Sequence, residues 1–168
     1  MPRRRPGALR AQNLALRNLW RTDGPYATTA GRRAFRVDGL SGPAIAAVLR
    51  AEASRPPDEG LSPGDTAAAL RCIRWFLARP GRYLYPEKTV CGCTDCERGS
   101  NPAAARDVLT LTLSRLPRHA RRELAALVTG LDEQLRRRTL PDPFAHRQPW
   151  HRAGPWWHAR IHHESHHL

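Results

Sequence analysis

Apolar residues recur at three-, four- and seven-residue spacing through most of the chain, the period of amphipathic helices that bury one face. Leu9, Leu16, Leu19 and Trp20 predict a first helix over about 7–21, stopped by the breaker cluster Asp23-Gly24-Pro25. The period then lapses over 26–40, where the alternation Ala34-Phe35-Arg36-Val37 predicts no more than a short strand or extended loop. Three further helices open on a small polar or glycine residue close to a proline, which fits a first helical position because its missing N–H would have no intrahelical partner there. Ser41-Gly42-Pro43 starts one running to about Ser54, with Ile45, Val48, Leu49 and Ala53 inward and Glu52 at the edge of that face. Ser62-Pro63-Gly64-Asp65 starts the next as a capping box with Asp in place of Glu, and Leu70, Ile73, Phe76 and Leu77 form its buried stripe to about Ala78. Asn101-Pro102 starts the third, which continues through Val108, Leu109, Thr112 and Leu113 to Leu116.

The strongest periodicity lies between about Pro117 and Arg138, where Leu124, Leu127, Val128, Leu131 and Leu135 share one stripe. The short joint over 114–118 predicts an antiparallel hairpin with the preceding helix. Arg136, Arg137 and Arg138 fall in the last turn, where cations meet the helix's own exposed carbonyls. From Pro141 the pattern breaks: Pro141, Pro143, Pro149 and Pro155 are followed by Trp156-Trp157 and a His-rich end. The fold class expected is mainly α, a small bundle of about four to five helices. A single helical domain over 1–140 holds a Cys-rich loop at 86–100, and an extended C-terminal arm covers 141–168.

Three of four cysteines cluster in that loop as Cys91-Gly92-Cys93-Thr94-Asp95-Cys96. The turn of a C-x2-C pair lets two thiolates converge on one tetrahedral ion, and Gly92 frees the backbone for Cys91 to join them. The expectation is a structural zinc ion held by Cys91, Cys93 and Cys96, with Cys72 or His119 as the fourth ligand. For Cys72, in the apolar setting Leu70-Arg71-Cys72-Ile73, a small buried hydrophobe is the competing role. A thiol redox or metal sensor is a further alternative for the loop. No His lies within it and no H-x-E precedes it, so catalytic zinc chemistry of the deaminase kind is not expected.

Seven of the eight histidines fall between His146 and His167, and His158, His162 and His166 would share a face if that end were helical. His163-Glu164-Ser165-His166-His167 also fits H-E-x-x-H, but five histidines in eleven residues make a chance match easy. A solvated, partly protonated tail is the simpler reading.

Charge changes the picture more. The 168 residues carry 28 Lys+Arg against 15 Asp+Glu, a net charge of +13, and Lys88 is the single lysine. So arginine-heavy and alanine-rich a composition suggests the GC-rich coding of a bacterium, which alone would produce a solvated basic surface. Nine arginines and only Asp23 as an acid lie within residues 1–36. Arg3, Arg4, Arg5, Arg10, Arg32, Arg33 and Arg36 are therefore the candidate phosphate contacts, with Trp20, Tyr26 and Phe35 among them as candidate stackers. Arg118, Arg121 and Arg122 offer a second patch, offset by Glu123. A helix-turn-helix over 43–78 fails because the joint over 55–62 is too long for its turn.

No Gly-rich phosphate loop, nucleophile elbow or dinucleotide fingerprint is present, which argues against an enzyme, and no small-molecule substrate is evident. No apolar run approaches the roughly 20 residues of a membrane span. The Arg-rich start is not followed by an apolar stretch, so a cytoplasmic protein is expected. Together these features point to a small, basic, non-catalytic accessory or regulatory factor that associates with nucleic acid. The alternative is an adaptor or assembly subunit whose basic face docks an acidic protein partner and whose C-terminal arm orders in the complex.

Overall fold

The computed structural model describes residues 37–54, 61–86, 100–147 and 154–162. The first predicted helix, the Ala34–Arg36 stretch and the loop cysteines Cys91, Cys93 and Cys96 lie outside the described residues. Those that are described form a mainly helical bundle: α1 (Gly42–Ala53), α2 (Asp65–Ala78), α3 (Pro102–Arg115) and α4 (Arg118–Arg138), followed by 3-10 turns at Ala145–Arg147 and Trp156–His158. No helix among them is long and apolar enough to cross a membrane.

The caps behave much as the side-chain chemistry predicts. Ser41 Oγ accepts from the Ala44 N–H, and Asn101 Oδ1 accepts from the Ala103 N–H at 2.9 Å. At α2 only half of the expected capping box forms. The Asp65 carboxylate takes the Ser62 N–H at 2.7 Å, but Gly64 is the N-cap, at a φ of 96° that suits glycine. The Gly64 and Thr66 N–H groups instead donate to the two carboxylate oxygens of Glu52, at 2.7 and 2.8 Å. Glu52, read as an edge residue of α1, is instead 2% exposed, a buried carboxyl group that caps the first turn of α2.

The core is built from Leu61, Leu70, Ile73, Phe76, Leu109, Leu116 and Leu124, with Val128, Leu131 and Leu135 continuing the α4 stripe. α2 and α3 form the broadest pairing, broader than the α3–α4 hairpin that the short Leu116-Pro117 joint produces. Their faces meet through small side chains, and the Thr66 and Thr112 hydroxyls lie 3.1 Å apart with both residues fully buried. Thr112 donates to the Val108 carbonyl at 2.9 Å, which leaves its oxygen to accept from Thr66. α1 packs on its alanines, Ala44, Ala47 and Ala51, together with Val48; Ile45 and Leu49 are half-buried and Ala53 is exposed. The inward face is thus rotated toward the smallest side chains, because contact with α4 at short range rewards a flat surface over bulk. Gly39, at a φ of +95°, lies so close to α4 that a Cβ would meet Leu127 Cδ2 at 2.8 Å.

Candidate nucleic-acid interface

Between Thr66 and Pro86 the chain has no Asp or Glu, but it has Arg71, Arg74, Arg79 and Arg82 and the aromatics Trp75, Tyr83 and Tyr85 outside the core. Helix geometry sorts these residues. α2 buries Leu70, Ile73, Phe76 and Leu77, so Arg71, Trp75 and Arg79, four residues apart, fall in one row on its outer side. Trp75 is 59% exposed, an unusual position for the largest apolar side chain, and the Arg79 guanidinium stands 4.3 Å from its ring centroid. The pattern continues past the helix, where Arg82 lies over the Tyr83 ring at 5.2 Å and Tyr85 is exposed. Arg74 is tied to the Asp38 carbonyl at 3.1 Å.

The end of α2 is electrostatically unusual. Three carbonyls there, from Leu77, Arg79 and Gly81, all accept from the Arg138 guanidinium, with Arg79 and Gly81 at 2.8 and 2.6 Å. Arg138 therefore neutralises the partial negative charge of the α2 C-terminus, which would otherwise repel an anion arriving beside Arg79. For Arg138 this corrects the expectation that the Arg136–Arg138 triple serves the carbonyls of its own helix. The α4 end is instead closed by Arg160, which donates to the Arg136 carbonyl at 3.0 Å, to the Thr139 carbonyl and to Thr139 Oγ1. Burial, and secondarily the neighbouring Arg136 charge, lowers the Arg160 pKa from its ordinary value. Arg121 does the same service for α3, donating to the Leu116 carbonyl at 2.8 Å.

A second cluster of arginines and tryptophans lies where the C-terminal arm meets α3. The arm pairs with the segment after α4, the Asp142 N–H donating to Ala159 and the Ile161 N–H to Leu140, each at 3.0 Å. Both Asp107 carboxylate oxygens are engaged at 2.8 Å, one by the Trp157 indole N–H and the other by His158 Nε2. Under Trp157, 4.2 Å from its ring centroid, sits the Arg106 guanidinium, which forms a bidentate pair with Asp132 at 2.9–3.2 Å. Arg136 stacks on Trp156 at 4.2 Å. The described part of the arm is thus fastened to the bundle.

Among the described residues no group of three or more His, Cys, Asp or Glu side chains is placed to hold a metal ion. The two candidate fourth ligands occupy different surroundings. Cys72 is 5% exposed within the core, where burial pushes its thiol up to about 11 against a smaller opposing effect of Arg79. His119 is exposed on the first turn of α4, close enough to Glu123 to help lower that carboxyl's pKa. The predicted phosphate contacts Arg3, Arg4, Arg5, Arg10, Arg32, Arg33 and Arg36 lie outside the described residues. The α2 face was missed because its arginines are spread through a helix, whereas a criterion of density selects residues 1–36. The i, i+4, i+8 spacing within an acid-free stretch is the signal that finds it.

No family model matches the chain, and no curated protein or solved structure matches it either.

Proposed function

We propose that this is a non-catalytic basic accessory protein that associates with nucleic acid. The observation that carries the reading is the outer face of α2, where exposed Trp75 and the arginines around it occupy a stretch without a single acid. Phosphates would be neutralised there with release of counterions, so affinity falls steeply with salt. The Arg-rich segment over 1–36 adds charge to the same role. Within this reading Cys91, Cys93 and Cys96 hold a structural zinc ion, with Cys72 or His119 completing the tetrahedron. The absence of a phosphate loop or nucleophile elbow supports a binding role rather than catalysis.

The test is fluorescence anisotropy of the full chain with generic single- and double-stranded DNA across a salt series. Binding at low salt that weakens log-linearly as salt rises is expected; no binding to either form at low salt would end the proposal. Elemental analysis of protein purified without a metal-affinity step tests the zinc separately. About one zinc per chain, lost when Cys93 is replaced, is the expected result. Four titratable thiols and no metal would remove it.

A further inference from the structure

We infer that Arg82, Tyr83 and Tyr85 form a contact site for single-stranded nucleic acid, an inference that rests on the nucleic-acid reading above and places the base contacts just after α2. This stretch is held from behind by its backbone. The Arg138 guanidinium takes the Arg79 and Gly81 carbonyls at 2.8 and 2.6 Å, and the Leu84 N–H donates to the Arg138 carbonyl at 2.6 Å. Gly81 stands at a φ of +114°, a conformation that suits glycine and lets the chain turn out of the helix. Beyond it Leu84 and Pro86 are buried, whereas Tyr83 and Tyr85 are each 39% exposed. That alternation is the period of an extended chain with one side laid on the bundle. Two phenol rings and one cation are left on the outer side of a backbone already ordered, so a ligand that stacks there does not have to fix the chain.

Arg82 differs from the arginines that fasten the bundle. Arg121, Arg138 and Arg160 are committed to helix carbonyls, and Arg106 to Asp132. Arg82 lies over the Tyr83 ring at 5.2 Å and has no carboxylate or carbonyl partner among the described residues. No acid precedes it as far back as Thr66, and Glu87 and Lys88 beyond Pro86 cancel in charge. The rings decide which strand state fits. Tyr83 and Tyr85 are two residues apart, a rise of about 6.6 Å along an extended chain. Bases in a duplex strand follow one another at about 3.4 Å and are stacked together. The two rings therefore take neighbouring bases only from a strand that is stretched and unpaired, in which each base offers a face. An acidic peptide would use Arg82 and the phenol hydroxyls; a base uses the ring faces.

The experiment uses the full chain with a labelled short oligothymidylate, a duplex of the same length and polyglutamate as competitor. The double variant Tyr83→Ala/Tyr85→Ala should weaken oligothymidylate binding by about tenfold or more and leave duplex affinity within about twofold of the parent. Tyr83→Phe/Tyr85→Phe, which keeps both rings and removes both hydroxyls, should retain most of the affinity. Arg82→Ala should reduce the single-strand salt slope by about 0.7, the share of one phosphate contact. Each variant is compared with the parent by its melting midpoint, so a folding defect is seen separately. If oligothymidylate binds and is indifferent to loss of the two rings, nucleic-acid association stands and this site does not. Equal losses for strand and duplex would overturn the selectivity. If neither nucleic acid binds at low salt, both readings fail. If polyglutamate competes as well as the oligonucleotide, or the Phe variant loses as much as the Ala variant, the ring faces are not what is read and the site falls.

Discussion

Trp75 and Trp157 each lie against an arginine at almost the same distance, 4.3 and 4.2 Å, yet the two regions differ in everything around that contact. At Trp157 the guanidinium is Arg106, already gripped by Asp132, and the indole N–H is spent on Asp107. At Trp75 no carboxylate is near in sequence and the ring is mostly exposed. The first arrangement closes on itself through Asp132 and Asp107. The second presents an exposed apolar plate beside Arg79, in a stretch whose sequence holds no acid. In a chain this rich in arginine, an Arg–Trp stack says little by itself; the local balance of acids and the exposure of the ring separate a fastening from a surface able to receive a ligand.

The comparison is broken most severely by removing the acid that balances Arg106. Both side chains of the Arg106–Asp132 pair are 11% exposed, so Asp132→Ala strands a largely desolvated guanidinium. A loss of about 3 kcal/mol in urea unfolding is expected. A loss below about 1 kcal/mol would show that Trp157 rests on a pair that contributes little. One layer out, Asp107→Ala removes the acceptor of Trp157 and the partner of His158 at a half-exposed carboxylate, where solvent screening holds the cost to about 1 kcal/mol. Its signature should be local: faster amide exchange at Ala159 and Ile161, whose N–H groups donate to Trp156 and Leu140, with α2 amides unchanged. Unchanged exchange at those two positions would mean that the backbone pairing holds the arm without the clasp.

A third tie joins α1 to α4 and gives the fastened side of the comparison a pH dependence. The Ser41 N–H and hydroxyl both donate to Glu123, at 2.8 and 2.9 Å. These bonds, the backbone one foremost, lower the carboxyl's pKa from its ordinary value of 4.5. A depressed folded-state pKa means that the unfolded chain binds the proton first. The stabilising contribution is therefore complete above about 4.5 and lost as pH falls through the lower folded value. Denaturation followed across acid pH should show a shallower decline for Glu123→Gln than for the parent, with parallel behaviour near neutrality. Identical acid slopes would mean that the Ser41 contact does not stabilise the charged form.

Elements bounded by local chemistry were legible in the sequence, and ties between distant elements were not. The helices predicted over 43–54, 63–78, 102–116 and 117–138 begin and end within two residues of those observed, because Ser41, Asn101 and the neighbouring prolines act on their own first turns. The stripes of α2 and α4 also followed from period alone. Glu52 shows the limit: its position on α1 marks it as an edge residue, and only the packing of α2 onto α1 supplies the N–H groups that make it a buried cap. Arg138 likewise serves carbonyls 57–61 residues away, a role that local dipole reasoning assigns to its own helix. Trp157 and Asp107 are 50 residues apart. The α2 row is the intermediate case, since its period was present in the letters but its exposure depended on which face the bundle buried.

The smallest predicted effect on stability sharpens the comparison most. Trp75→Ala removes a large aromatic group from the middle of α2, and in a core position such a truncation would cost several kcal/mol. Here the lost contacts are an exposed face and one cation–π stack with Arg79, while Ala is the better helix former. The two terms oppose each other, so the change in unfolding free energy should stay within about 0.5 kcal/mol of zero. Trp157→Ala, by contrast, gives up an indole hydrogen bond to Asp107 and the cover over Arg106, and should cost about 2 kcal/mol. Urea unfolding of the two variants side by side checks this directly. Equal losses would make Trp75 a second fastening and remove the reason to assign it a ligand. A silent Trp75 beside a costly Trp157 would leave its exposure without a structural purpose, as a binding surface requires.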